Sequence, residues 1–302
     1  MAVGHLNDQV HTNEVGYYSL SLRDESNWWI STDNDDEFCI QYLSKFAAIM
    51  KLTEHQAPAM NGLSRLIIFR TSNQNSQRDA KDNIGWPAGI RFYNSANGDV
   101  VCEFLNDGMK KNKYYFMPYF LYPIYQCSIE KGGLPIHAAL IELEGRGVLL
   151  SARCNTGKTT CCRRLPDYWK ELCDDEALVV LDNQKKYWAN PFPTWSDYLL
   201  KRSESTWNVQ YSVPLCGIFF LEQSTTDDIT PMGYGKASAL IAEAANTVRI
   251  RFMRGMDKES QRGSMREMFD NACRITKMIP AFHLHVSLNG RFWEKIEEAL
   301  GW

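Results

Sequence analysis

The spacing of hydrophobic residues in this chain changes several times, and each change predicts an element. "YYSLSL" (17–22) and "NWWIST" (27–32) are rich in aromatic and alternating apolar residues. The charged turn "RDES" parts them, so two β-strands are predicted. In "DEFCIQYLSKFAAIMKL" (36–52), Phe38, Ile40, Leu43, Phe46, Ala47 and Met50 recur at helical spacing and predict an amphipathic helix. "LSRLIIFRT" (63–71) predicts a buried strand, and the polar stretch "SNQNSQRDAKDNIG" (72–85) a mobile loop. "IRFYNSANGDVVCEFL" (90–105) predicts a hairpin turning at Asn97-Gly98.

A helix is predicted across 115–131. "PIHAALIEL" and "GVLLSA" follow, joined at "EGRG" as a second hairpin whose last strand runs into residue 152. Further on, "EALVVLD", "KYWANP", "CGIFFLEQ" and "FHLHVSLNG" are strand-like. "KASALIAEAANTVRIRFMRG", "RGSMREMFDNACRITKM" and "RFWEKIEEALGW" are helical. Strand clusters with helices between them predict an α/β protein with a mixed sheet. A boundary near 115 would divide an N-terminal α+β accessory domain, 1–114, from a second domain, 115–302, with no internal repeat in either.

Composition narrows the function classes. Hydrophobic residues make up 44% and charged residues 23% of 302, ordinary for a globular protein with a full core. A net charge of −3 gives no electrostatic case for nucleic acid or an anionic membrane. The longest apolar-aromatic run, "YYFMPYFLYPIY" (114–125), holds two prolines and is too short to span a bilayer. "MAVGHLNDQVHTNE" lacks the features of a signal peptide, so a cytoplasmic protein is expected. The nine cysteines (39, 102, 127, 154, 161, 162, 173, 216, 273) form no CxxC pair. They read as small buried hydrophobes in a reducing compartment.

"ARCNTGKTT" carries the clearest chemistry. Residues 152–159 fit [AG]-x-x-x-x-G-K-[ST], a relaxed Walker A phosphate-binding loop, with an apolar strand entering and a helix-forming "TTCCRRL" leaving. Backbone N–H groups of such a loop face phosphates, Gly157 allows close approach, Lys158 adds positive charge and Thr159 offers a hydroxyl to magnesium. Ala152 and Asn155 replace loop glycines; asparagine tolerates left-handed backbone better than most residues. Further along, "ELCDDEALVV" places Asp174, Asp175 and Glu176 against a buried strand, where a metal or reacting group would justify them. Adjacent strand residues face opposite ways, so the two aspartates should do different jobs unless splayed at a strand end. One can hold magnesium; the other can take a proton from an attacking hydroxyl.

The order "HAALIE…GVLL…GKT…CDDE" resembles the HPr kinase-like family, which shares its catalytic core with ATP-dependent phosphoenolpyruvate carboxykinases. The segments 213–241 and 279–300 look like HPr kinase-like proteins of peptide-maturation cassettes, the SynChlorMet cassettes among them. The likeness covers roughly residues 115–302 and is strongest at 134–182. It implies a P-loop kinase of the HPr kinase type, using ATP and Mg2+, acting on a serine or threonine hydroxyl of a peptide or protein. Ala152, Arg153, Cys154, Asn155, Thr156, Gly157, Lys158, Thr159 and Thr160 would hold the nucleotide. Thr159 and Asp175 would bind magnesium, Asp174 would be the base, and His137 would lie near the transferred phosphate. Partners implied are a peptide acceptor and cassette enzymes of the radical SAM type; an oligomer is compatible with the sequence. A nucleotide-binding switch or assembly factor, or a small-metabolite kinase, would use the same motifs.

No clean copy of the family's arginine signature follows the core. Arg249, Arg251 and Arg254 in "VRIRFMRG" stand in for it, or else form the basic face of a solvated helix; HPr itself is therefore not the expected acceptor. "WANPFPTWSDY" (188–198) reads as an aromatic loop that either shapes a pocket or caps a core edge. "GMKKNKYY" (108–115) reads as an exposed turn. His283 and His285 alternate on one strand face, and without a third ligand they read as structural.

Overall fold

The computed structural model describes residues 16–32, 37–59, 64–71, 90–95, 98–104, 113–152, 156–253 and 256–302. The first part holds β1 (Tyr17–Ser21), β2 (Asn27–Thr32), α1 (Glu37–Met50), β3 (Thr53–His55), β4 (Ser64–Thr71), β5 (Ile90–Asn94) and β6 (Val100–Phe104). Next come α2 (Lys113–Phe116), a 3-10 turn (Met117–Leu121) and α3 (Tyr122–Glu130). Then follow β7 (Leu134–Ile136), β8 (Ala138–Leu143), β9 (Arg146–Ser151), α4 (Lys158–Arg163), β10 (Lys170–Cys173), β11 (Glu176–Leu181), β12 (Tyr187–Phe192) and α5 (Trp195–Leu199). The last part holds β13 (Val213–Gln223), β14 (Asp228–Pro231), α6 (Tyr234–Met253), α7 (Lys258–Met278), β15 (Ala281–Val286) and α8 (Phe292–Leu300).

Both sheets mix parallel and antiparallel pairs, so the α/β expectation with a mixed sheet holds. The first has the order β3-β1-β2-β4-β6-β5, with β2, β4 and β6 parallel and hairpins β1/β2 and β5/β6 at its flanks. The second runs β10-β8-β9-β13-β12-β11-β7, with β15 parallel to β13 and β14 antiparallel to β15. Alternation along its central strands buries both faces. In β13, Ile218 and Phe220 join one apolar cluster while Phe219 and Leu221 join the other, beneath α4 and α8.

Four predicted elements come out differently. The helix over 115–131 is three pieces, because Pro118 and Pro123 sit at the first turns of the 3-10 segment and of α3. "PIHAALIEL" is not one strand: β7 pairs with β11, β8 pairs with β9, and His137 lies at the switch. "CDDE" is not one strand either. β10 ends at Cys173 against β8, β11 begins at Glu176 against β12, and the aspartates occupy the bend between. "WANPFPTWSDY" forms β12 and α5, not a loop; Trp195 and Tyr198 are buried, and Trp195 stacks on Phe46. Residues 72–85, Asn97 and 108–112 lie outside the described residues.

One continuous apolar cluster ties the first sheet to the second, running from Leu20 to Ala281. Phe120 sits at its aromatic centre. Its ring lies 4.5 Å from Phe69, 5.3 Å from Tyr42, 5.5 Å from Phe104 and 5.9 Å from Phe46. Phe120→Ala would remove these ring contacts and leave a cavity, costing about 3–5 kcal/mol. Urea denaturation should show the midpoint falling accordingly; an unchanged midpoint would mean that this cluster does not join the two sheets.

Candidate functional site

The switch at His137 turns its ring towards the loop after β9. Its backbone is fixed on both sides: the N–H donates to Ala244 O on α6 (3.2 Å), and the carbonyl accepts from Ser151 Oγ (3.3 Å). The ring, 15% exposed, is held by two charged groups. Lys158 Nζ lies 2.8 Å from Nε2, and Asp175 Oδ1 lies 3.2 Å from Nδ1. Because an ammonium can only donate, Nε2 must accept, so Nδ1 carries the proton and donates to Asp175. Lys158 also donates to Ala152 O at 3.3 Å. Residues 137, 152, 158 and 175 thus meet at one point.

The neighbouring aspartate belongs to a different set. Asp174 Oδ2 accepts from Thr159 Oγ1 at 3.0 Å, and Oδ1 accepts from Thr194 Oγ1 at 2.5 Å. The bend between β10 and β11 splays the two carboxylates apart, one to Thr159 and the other to His137. Thr159 is therefore brought to Asp174, and Asp175 to His137 and Lys158. Thr194 carried no sequence signal, since a lone threonine after a proline-rich strand end looks like any loop residue.

Behind Asp175 lies a buried cluster. Glu176 is 1% exposed; its Oε2 accepts from Arg251 Nη2 at 3.1 Å and its Oε1 accepts the Tyr125 hydroxyl. Burial pushes the Glu176 carboxyl above its ordinary range, against the lowering by Arg251 and Tyr125. Asp175 moves the other way. Desolvation would raise it, but the His137 hydrogen bond and the positive charges of Lys158 and Arg251 together hold it below the usual carboxylate value. Asp175 is therefore ionised at neutral pH. Arg251 is thus no part of a solvated basic face, and neither is Arg249, which is fully buried and donates to Gln126 and Ser264. Arg254 lies outside the described residues.

Arg153, Cys154 and Asn155 lie outside the described residues as well. At Gly157 the backbone is left-handed, with φ 108° and ψ 19°, and it caps α4. Among the described residues an added Cβ would meet nothing within 4 Å, so what calls for glycine there is the backbone conformation. Its carbonyl accepts from Cys161 N at 2.9 Å, starting the helix. Thr156 O accepts from Gln223 Nε2 at 3.3 Å, and Thr160 is exposed on α4. A cleft of about 720 Å³ opens beside these residues, walled by Phe220 and Leu221 of β13, Leu240 and Glu243 of α6, and His283 of β15. Sequence reasoning missed the α6 wall, which a helical pattern does not distinguish from an ordinary packed face.

Cys161, Cys162 and Cys173 are buried around α4 and β10. Burial raises their thiols, to about 11 for Cys161 and about 12 for Cys173, which is the opposite of reactive. Among the described residues no group of three His, Cys, Asp or Glu is placed to hold a metal, His283 and His285 included. No helix among them is long and apolar enough to cross a membrane.

Gly157→Ala is expected to cost about 1–2 kcal/mol, since alanine would have to adopt the left-handed backbone at the start of α4. Hydrogen exchange at the Cys161 amide should accelerate; unchanged protection would show that the turn does not depend on glycine.

No curated protein matches the chain. The sequence does match the family described as SynChlorMet cassette protein ScmC over residues 100–301, which takes in β6 to α8 and every residue of the site. The likeness to SynChlorMet cassette proteins read from the motifs is thereby borne out. The chain belongs to the SynChlorMet cassette protein ScmC family.

Proposed function

We propose that the chain is an ATP- and Mg2+-dependent phosphotransferase that phosphorylates a serine or threonine hydroxyl of a peptide or protein within its biosynthetic cassette. One observation carries this: His137, Lys158–Thr159 and Asp174–Asp175, distant in sequence, converge on the end of β9 in two separate polar sets. A structural loop has no need of a nearly buried lysine, a histidine and two splayed carboxylates at one strand end. The family name adds the cassette context and points to the other cassette proteins as partners.

The residues present fit magnesium. It is a hard cation that takes one or two carboxylates, keeps several waters and shares the phosphates of its nucleotide, so a cluster of three protein ligands is not required. Thr159 and Asp174 supply oxygens already paired at 3.0 Å. When bound, the ion would neutralise charge on the phosphates.

The division of labour we propose departs from the one the family resemblance implies. Thr159 and Asp174 hold the cation, and Asp175 is the base. Lys158 exchanges its bond to His137 Nε2 for a phosphate oxygen, a charged partner in place of a neutral one. His137 keeps its Nδ1–H on one oxygen of Asp175 and so leaves the other oxygen to accept. The acceptor hydroxyl oxygen attacks the γ-phosphorus, its proton passes to Asp175, and the bond to the bridging oxygen of ADP breaks. Arg251, through Glu176, fixes the bend from which Asp175 projects.

The test uses labelled ATP, Mg2+ and the precursor peptide of a SynChlorMet cassette. Asp175→Asn should lower transfer by about 10²–10⁴-fold and leave ATP binding nearly unchanged. Asp174→Asn should instead weaken the Mg2+-dependent part of ATP binding. The reverse pattern would return the base role to Asp174. Tight ATP binding by the wild type without any transfer would replace the kinase with a nucleotide-binding switch or assembly factor.

A further inference from the structure

Thr194 departs from the ordinary use of its position. It stands at the N-cap of α5, where a threonine hydroxyl ordinarily accepts from a free N–H of the first turn. No such side-chain bond forms here. The Thr194 carbonyl closes the turn instead, accepting from Asp197 N at 3.0 Å. The hydroxyl, on a residue only 4% exposed, donates to Asp174 Oδ1 at 2.5 Å. A hydrogen bond to a carboxylate is stronger than a neutral cap, which accounts for the exchange.

Sheet register brings the two residues together. β11 and β12 pair antiparallel with Glu176 opposite Phe192, and two residues further the same register sets Asp174 opposite Thr194. Packing from the first part of the chain then fixes the segment. Trp195, 3% exposed, stacks on Phe46 of α1, with ring centroids 6.1 Å apart and planes 8° from parallel. Among the described residues its indole Nε1 has no hydrogen-bond partner, so packing holds the side chain. Downstream, Trp207 N donates to Ile49 O at 2.8 Å and Val209 N to Met50 O at 3.4 Å, at the C-terminal end of α1. α1 precedes the stretch matched by the ScmC family, whereas Thr194 and Asp174 lie within it.

An aspartate that serves a cation must present one oxygen in a fixed direction, yet its terminal torsion is soft. When the Thr159 oxygen turns to the ion, the Thr194 hydroxyl remains to hold the carboxylate. With Oδ1 bound by Thr194, Oδ2 stays turned to Thr159, the other oxygen offered to the ion. Partners that orient a ligand in this way commonly matter nearly as much to metal affinity as the ligand itself. We propose that Thr194 is a positioning residue for the cation site, aiming Asp174, and that α1 keeps it in place through Trp195. The proposal rests on Asp174 being the carboxylate that serves the cation.

The test is calorimetric titration of ATP into the folded full chain with and without Mg2+, reading the ratio of the two affinities. Asp174→Asn should lower that ratio; an unchanged ratio there would remove the reading on which the proposal rests. Thr194→Val, equal in shape but without the hydroxyl, should lower it at least about tenfold. Thr194→Ser, which keeps the hydroxyl, should recover most of that loss. In the Asp174→Asn background Thr194→Val should lower the ratio no further, because its effect runs through that carboxylate. Phe46→Leu, which removes the stacked ring, should lower the ratio by a smaller factor and add nothing to Thr194→Val. With the Asp174→Asn effect present, three results would overturn the proposal: an unchanged ratio in Thr194→Val, a loss that serine does not recover, or a further fall in the Asp174→Asn background. An unchanged ratio in Phe46→Leu would strike α1 from the arrangement and leave Thr194.

Discussion

The line of contacts from Lys158 through His137 to Asp175 is the interaction on which the site depends, and it exists because two strands part company at one residue. β7 commits to β11 and β8 to β9, and His137 is left between them with its backbone tied to α6 and to Ser151. The backbone that carries the ring cannot shift without breaking those bonds, and the ring itself is held by Lys158 and Asp175. It therefore takes a donor on one nitrogen and an acceptor on the other. That fixes the lysine of the loop and the carboxylate of the β10–β11 bend relative to each other. A nearly buried ammonium and a neighbouring carboxylate would each be costly alone; bridged by an imidazole, each is partly neutralised.

The same logic extends outward. The bend that presents Asp175 is anchored by Glu176, whose burial is made tolerable by Arg251 and Tyr125. Arg251 comes from α6 and Tyr125 from α3, so the carboxylate pair is held by the helices as well as by the sheet. Asp174, held by Thr159 and Thr194, is oriented independently of that anchor. Two adjacent aspartates thus have separate supports and different surroundings, as acid–base and charge-holding roles in one site require.

Much of this was legible in the sequence. The strand, loop and helix around Lys158, the amphipathic α1 and the hairpins of the first sheet follow from hydrophobic period and turn residues. What could not be read was which strands pair. "HAAL" and "CDDE" look like uninterrupted strands because their apolar residues continue across the breaks, and the choice of partner strand is a long-range matter that local pattern does not contain. For the same reason Thr159 could be matched with either aspartate. The arginines of α6 show another limit. "VRIRFMRG" looks like a solvated basic face, and only tertiary packing places Arg249 inside the protein and Arg251 against Glu176.

The central claim is that the convergence of Lys158, His137 and Asp175 makes a nucleotide phosphate site. Calorimetric titration of the wild type and of Lys158→Met with ATP and Mg2+ tests it most directly. Saturable binding by the wild type, weakened at least about tenfold in the variant, is the predicted result. Absence of binding by a folded wild type, or equal binding by both proteins, would contradict it.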